Sequence, residues 1–200
     1  MKKVILSMIA LIAAGASAFA QQQVKFGPKA GVNFANLSNI GFDNEMKTGF
    51  YVGAFAEIKF NDKFSIQPEL LYSSQGTKVS EVLIPFGSIE AKWNLDYINI
   101  PILAKYYIVD GFSVEAGPQI GFLVKSETKV ESGSSAGTID TKSSRNSTDF
   151  GLGLGLAYDL PMGLFVNGRY NLGFSDIMKD NNGDAIKNNV IQIGIGYKFE

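Results

Sequence analysis

The chain has 200 residues, no histidine and no cysteine, and 18 basic residues against 19 acidic ones. That balance offers no basic footprint for nucleic acid, and the missing residue types remove the commonest general base, the commonest metal ligand and any disulfide. An enzyme, a metal site and a cofactor carrier are therefore not expected.

The first element in chain order reads as an export signal. Lys2 and Lys3 form a positive start, Val4 to Ala14 an apolar core, and Ala18-Phe19-Ala20 a small-x-small cleavage pattern. An apolar run of about 15 residues is short of the roughly 20 needed to span hydrocarbon as a helix. No cysteine stands at the cleavage point to carry a lipid. Residues 1–20 are thus expected to be removed, with Ala18 and Ala20 marking the site, leaving 21–200 as one domain. With Lys2 and Lys3 gone, 16 of the 18 bases face 19 acids, a net charge of −3.

After the signal, period-two alternation replaces any helical period. The first strand places Phe26, Ala30, Val32 and Phe34 opposite Lys29, Gly31 and Asn33. The second sets Phe50, Val52, Ala54, Ile58 and Phe60 against Gly53, Glu57 and Lys59, and the third sets Phe64, Ile66, Leu70 and Tyr72 against Gln67, Glu69 and Ser73. In the fourth, Ile98, Ile100, Ile102, Ala104, Tyr106 and Ile108 oppose Asn99 and Lys105; in the fifth, Phe112, Val114, Ala116, Ile120 and Phe122 oppose Ser113, Glu115, Gly117 and Gln119. Phe150 to Tyr158 alternates leucines with Gly151, Gly153, Gly155, Ala157 and Asp159. Leu164, Val166, Tyr170, Leu172 and Phe174 alternate with Asn167, Arg169, Asn171 and Gly173. The eighth strand sets Ile191, Ile193, Ile195, Tyr197 and Phe199 against Gln192, Gly194, Gly196 and Lys198.

Turn chemistry gives independent information. Asn61-Asp62-Lys63, Asp110-Gly111 and Pro161-Met162-Gly163 read as tight turns, whereas 38–46, 80–89, 127–145 and 176–185 read as long loops. Short and long connections alternate, as in a transmembrane barrel whose short turns face the periplasm. The 127–145 loop, rich in Ser, Gly and Thr, is expected to be the most mobile part.

Alternation alone does not say which face is inside. An eight-stranded barrel has room only for side chains, which suits the glycines, serines and asparagines better than the aromatic residues. Phe50 to Phe60, Phe112 to Phe122 and Leu164 to Phe174 each advance ten residues along the apolar face. That is roughly 33 Å of strand, reduced by a tilt of about 40° to around 25 Å, the height of a lipid-facing band. Phe60, Phe64, Phe112, Tyr158 and Phe199 are expected in the girdle near the short turns. Phe34, Phe50, Tyr72, Phe122, Phe150 and Phe174, with Trp93, are expected near the long loops. The expected fold is all-β: an eight-stranded antiparallel up-and-down transmembrane β-barrel in the outer membrane.

The residues Gly27-Pro28-Lys29-Ala30-Gly31, Gln67-Pro68-Glu69-Leu70-Leu71-Tyr72, Leu95-Asp96-Tyr97-Ile98-Asn99-Ile100-Pro101-Ile102-Leu103 and Gly117-Pro118 occur in that order. With them the whole mature chain resembles the outer-membrane β-barrel family common in Bacteroidetes, the porin-like and PorT-like group. The resemblance implies a barrel without catalytic residues. Glu200 follows the terminal aromatic on which such barrels usually end, so recognition by the assembly machinery and periplasmic chaperones is expected to rest on Ile195, Tyr197 and Phe199.

The inward face collects Lys29, Glu57, Lys59, Glu69, Lys105, Glu115, Asp159 and Arg169, four bases and four acids. Buried charges pair, so a salt-bridge plug is expected, with a selectivity filter or acid-base work by Glu57, Glu69 or Glu115 as alternatives. Gly151-Leu152-Gly153-Leu154-Gly155 lacks the G-x-G-x-x-G spacing of a nucleotide loop. Asp180-Asn181-Asn182-Gly183-Asp184 lacks the Gly at position six and the Glu at twelve of a calcium loop. Three functional readings follow. The first is a porin-like barrel with at most a narrow ion or small-solute passage. The second is a barrel, expected to be monomeric, whose loops contact a partner, a surface or a secretion assembly. The third is a soluble periplasmic ligand-binding barrel.

Overall fold

The computed structural model describes residues 23–41, 44–84, 87–132, 135–181 and 183–199. The expected signal segment, with Ala18 and Ala20, lies outside the described residues. The strands are β1 (Gln23–Leu37), β2 (Asn44–Lys59), β3 (Phe64–Ile84), β4 (Gly87–Val109) and β5 (Phe112–Ser132), followed by β6 (Ser135–Asp140), β7 (Thr148–Asp159), β8 (Leu164–Gly173) and β9 (Asn188–Tyr197). Eight of them close a ring, β1-β2-β3-β4-β5-β7-β8-β9 and back to β1, with every pairing antiparallel. A closed ring satisfies every backbone donor and acceptor along its height, which is what hydrocarbon demands of a spanning sheet.

The alternation resolves as the side-chain volumes require. Phe50, Ile102 and Ile193 are at least half exposed on the outside, while Asn33, Ser65 and Ser73 are wholly buried on the inside. A soluble barrel would have the reverse arrangement. Aromatic pairs mark both rims: Phe64 with Tyr106, centroids 6.3 Å apart, and Phe26 with Phe199 at 5.7 Å near the short turns, and Phe50 with Tyr72 at 5.9 Å near the long loops. The three tight turns stand where turn chemistry puts them. Gly111 and Gly163 supply the left-handed backbone at the second and third, with φ of +79° and +81°.

Two of the expected long loops are instead strand. β3 and β4 run on past the rim and pair as far as Ile84 with Gly87, and β5 follows β4 up to Ser132, opposite Ile89. β6 then folds back along β5, from Glu127 opposite Asp140 to Ser132 opposite Ser135. Within these segments residues 80–84, 87–89, 127–132 and 135–140 thus belong to a four-stranded arm above the ring. Serine-rich and glycine-rich composition weakens a strand standing alone, but here each strand finds its backbone partners on a neighbour already rooted in the barrel.

The β8–β9 connection folds over the mouth. Ile177, 1% exposed, enters a cluster with Leu37, Leu95, Tyr97 and Leu123, and Ile40, Trp93, Met178 and Ile186 pack around it. Backbone hydrogen bonds from Ser38 N to Lys187 O at 2.9 Å and from Asn146 N to Ile177 O at 2.9 Å fasten this cap to its neighbours. Trp93 is therefore not a girdle residue. It sits on the inward side of β4 above the rim, with the Arg145 guanidinium 4.2 Å from its ring centroid.

Candidate functional site: the filled lumen

Because inward residues recur every second position on eight strands, the barrel interior is built in layers. The layer nearest the short turns centres on Glu57 of β2. Its carboxylate accepts hydrogen bonds from Ser65 Oγ at 2.8 Å and from the Tyr107 hydroxyl, and faces Lys198 Nζ at 2.6 Å and Lys105 Nζ at 3.7 Å. Lys198 also reaches Asp159 Oδ2 at 2.6 Å. Lys59, half-buried at this end, holds its ammonium 4.6 Å from the centre of the Tyr107 ring.

The next layer centres on Glu69 of β3. Arg169 donates to both of its oxygens, Nη1 at 3.0 Å and Nη2 at 2.9 Å, while Arg169 Nε donates to Glu115 at 2.8 Å. Lys29 Nζ at 2.9 Å and Gln67 Nε2 at 2.7 Å complete the donors to Glu69. Gln67 links the two layers, since its Oε1 accepts from Lys105 Nζ at 3.1 Å. Each layer sets two bases against two acids: Lys105 and Lys198 with Glu57 and Asp159, then Lys29 and Arg169 with Glu69 and Glu115. Such pairing offsets the several kcal/mol that each buried ion loses on leaving water.

Above these layers lies a polar tier built mainly of amide and hydroxyl side chains. Gln192 Nε2 donates to Asn33 Oδ1 at 3.0 Å, and Asn33 Nδ2 donates to Ser73 Oγ at 2.9 Å. The apolar cap covers it.

All eight charges expected in the lumen are there, and they form one connected assembly apart from Lys59, which stands at the edge. Lys198 was missed, although its place on the small-residue face of the last strand was the signal that could have found it. Three large inward side chains, Tyr51, Phe55 and Phe165, were missed as well. Tyr51 and Phe165 fit because neighbouring positions are glycines: a Cβ on Gly194 would overlap the Tyr51 hydroxyl, and one on Gly196 would overlap the Phe165 ring. Phe55 and Phe165 meet edge to face at 5.1 Å. Ile195, Tyr197 and Phe199 all face outward, as the alternation requires, with Tyr197 and Phe199 rings 5.2 Å apart. Among the described residues no group of acidic side chains is placed to hold a metal ion.

A closed antiparallel ring, an outer face of apolar residues with aromatic rims and a polar, filled interior together define a transmembrane β-barrel of the outer membrane. The chain belongs to the family described as the outer membrane protein beta-barrel domain, whose profile matches residues 19–179. It is similar in fold to Neisserial surface protein A, at 16% identity over 88% of this chain and 99% of that one, with a TM-score of 0.57. It is likewise similar to Ail, the attachment invasion locus protein of Yersinia pestis, at 14% identity over 88% of this chain and 99% of that one, with a TM-score of 0.55. No curated protein sequence matches it. The protein resides in the outer membrane.

Proposed function

We propose that this barrel does not carry solutes but acts on its outer side, holding the β3–β6 arm as a contact surface for a partner, a surface or a secretion assembly. The observation that supports the reading is the Glu69 layer. Lys29 of β1, Glu69 of β3, Glu115 of β5 and Arg169 of β8 meet across the lumen, and their side chains are no more than 1% accessible. A passage would have to part these ions in a space that offers them little water. The apolar cap adds a second obstruction above.

The arm suits contact. On its outer face Lys78, Lys92 and Lys129 stand opposite one another across three strands, beside a row of Asn94, Glu127 and Asp140. Rows of opposite sign keep the arm wet and would give a charged partner a defined register. The absence of histidine and cysteine from the chain favours a non-enzymatic role, and the outward aromatic stripe of β9 suits the assembly signal.

Planar-bilayer recording of the refolded protein tests the reading. Silence across the voltage range is the expected outcome; stepwise currents from the unaltered barrel would overturn it in favour of a narrow passage. A chain shortened at both arm hairpins should keep its barrel and lose surface contact.

A further inference from the structure

Between the ion-paired layers and the cap lies a cavity of about 10 Å³, room for a single water-sized guest. Five strands bring polar side chains to it: Gln75 from β3, Gln119 from β5, Asp149 from β7, Asn171 from β8 and Asn188 from β9. Asn171 and Asn188 are each only 4% exposed. Yet Asn171 Oδ1 and Nδ2, Asn188 Oδ1 and Gln119 Oε1 have no hydrogen-bond partner among the described residues. Buried polar atoms left in this state are rare and costly, and three of these four are oxygens around one small cavity, which implies a common guest.

Asp149 gives that guest a charge. Its carboxylate accepts from Ser175 Oγ at 2.6 Å and from Asn188 Nδ2 at 3.3 Å, but enters no ion pair among the described residues. Among the described residues, the inward carboxylates of Glu57, Glu69, Glu115 and Asp159 each face a lysine or an arginine.

We infer that the cavity is a binding site for one monovalent hard cation of sodium size, held by the Asp149 carboxylate and the amide oxygens of Gln119, Asn171 and Asn188. The donor set is all oxygen, which selects hard cations. Magnesium keeps several of its waters and calcium takes about six to eight oxygens, more than a one-guest cavity admits. One carboxylate also balances one positive charge, whereas a divalent ion would leave an excess in a nearly closed space.

The site sits at the root of the cap. Asn171 lies two residues before the end of β8 and Asn188 begins β9, so the ion would tie together the strands at both ends of the capping segment. Ser175 reinforces the same point, since its hydroxyl donates to Asp149 and accepts from Phe150 N at 2.8 Å.

The test uses the full refolded chain in detergent. Its thermal midpoint, read by heat-modifiable gel mobility, is compared in sodium chloride and in N-methylglucamine chloride at equal ionic strength, with calcium chloride as a third arm. A saturable rise with sodium is expected, lost in Asp149→Asn and shifted at least tenfold in midpoint concentration in Asn171→Val, with Asp180→Asn unchanged. Should Asp149→Asn fail to fold, Asn171→Val carries the test alone. Equal midpoints in sodium and N-methylglucamine would mean a water-filled cavity and overturn the inference. A response to calcium without one to sodium, or a wild-type sodium response in Asn171→Val, would overturn it equally.

Discussion

Arg169 and Glu69 meet through two hydrogen bonds, one to each carboxylate oxygen, 3.0 and 2.9 Å long, with both side chains sealed from solvent. Their strands, β8 and β3, are not neighbours in the ring, so the pair crosses the lumen and braces opposite walls. Replacing Arg169 with Met should cost about 3–5 kcal/mol, because it strands Glu115 and leaves Glu69 with Lys29 as its one cation in a dry interior. The double variant Arg169→Met, Glu69→Met leaves Lys29 facing Glu115 and should lose less than the two single variants summed. Urea unfolding of the four proteins measures this; strict additivity would mean that the layer is not a coupled unit.

Lys198 should matter less than Arg169 although it also serves two carboxylates. Its partner Asp159 retains 24% side-chain accessibility at the short-turn end, so water can replace part of the lost pairing. Lys198→Ala is expected to cost about 1–3 kcal/mol, with Lys198→Arg recovering most of it. A loss equal to that of Arg169→Met in the same unfolding assay would contradict this ranking.

Gly196 is set by the ring it accommodates. A valine there collides with Phe165, and overpacking of this kind costs about 1–3 kcal/mol. Gly196→Val should therefore lower the refolding yield, and adding Phe165→Ala should restore it. Failure of that rescue would place the cause elsewhere, in strand propensity or recognition during assembly.

The cap should loosen in acid through Asp176. Partial desolvation pushes its carboxyl up, but hydrogen bonds from Met178 N, the Asn181 side chain and Ile186 N outweigh it and hold the group below the usual carboxylate range. A folded value below the unfolded one, about 3.9, contributes stability above that pH and loses it as pH falls through the folded value. Trp93 is the chain's single tryptophan and packs on the cap. Its emission should shift below about pH 4 in the native protein and shift less in Asp176→Asn. Identical acid profiles would exclude Asp176 as the sensor.

Most of the barrel was legible because period two states which residues share a face, and volume then decides which face is inside. Glu57, Glu69, Glu115 and Arg169 could be placed from that argument alone. Their partnership could not, since which charge meets which depends on the stagger of non-adjacent strands. Tyr51 and Phe165 were hidden for a related reason: a bulky residue on the inner face is admissible only where the strands beside it bring glycine to its level, a relation set by register between strands distant in sequence. Ile177 lies in a polar segment without periodicity, so nothing local marked it for burial. The arm escaped because composition speaks for a segment alone, while Ser132 and Ser135 are held by register with strands begun far below.

The seam between β1 and β9 is latched at both ends. Phe199 N donates to Phe26 O at 2.8 Å beneath it, and Ser38 N reaches Lys187 O above. The first and last strands are the two that no hairpin joins, so their ladder is the one whose rupture would unroll the cylinder into a sheet. A clasp at each rim holds this ladder against fraying from its ends. Resistance to that rupture is a barrier to opening, so the seam bears on the rate at which the barrel is lost as well as on its equilibrium stability.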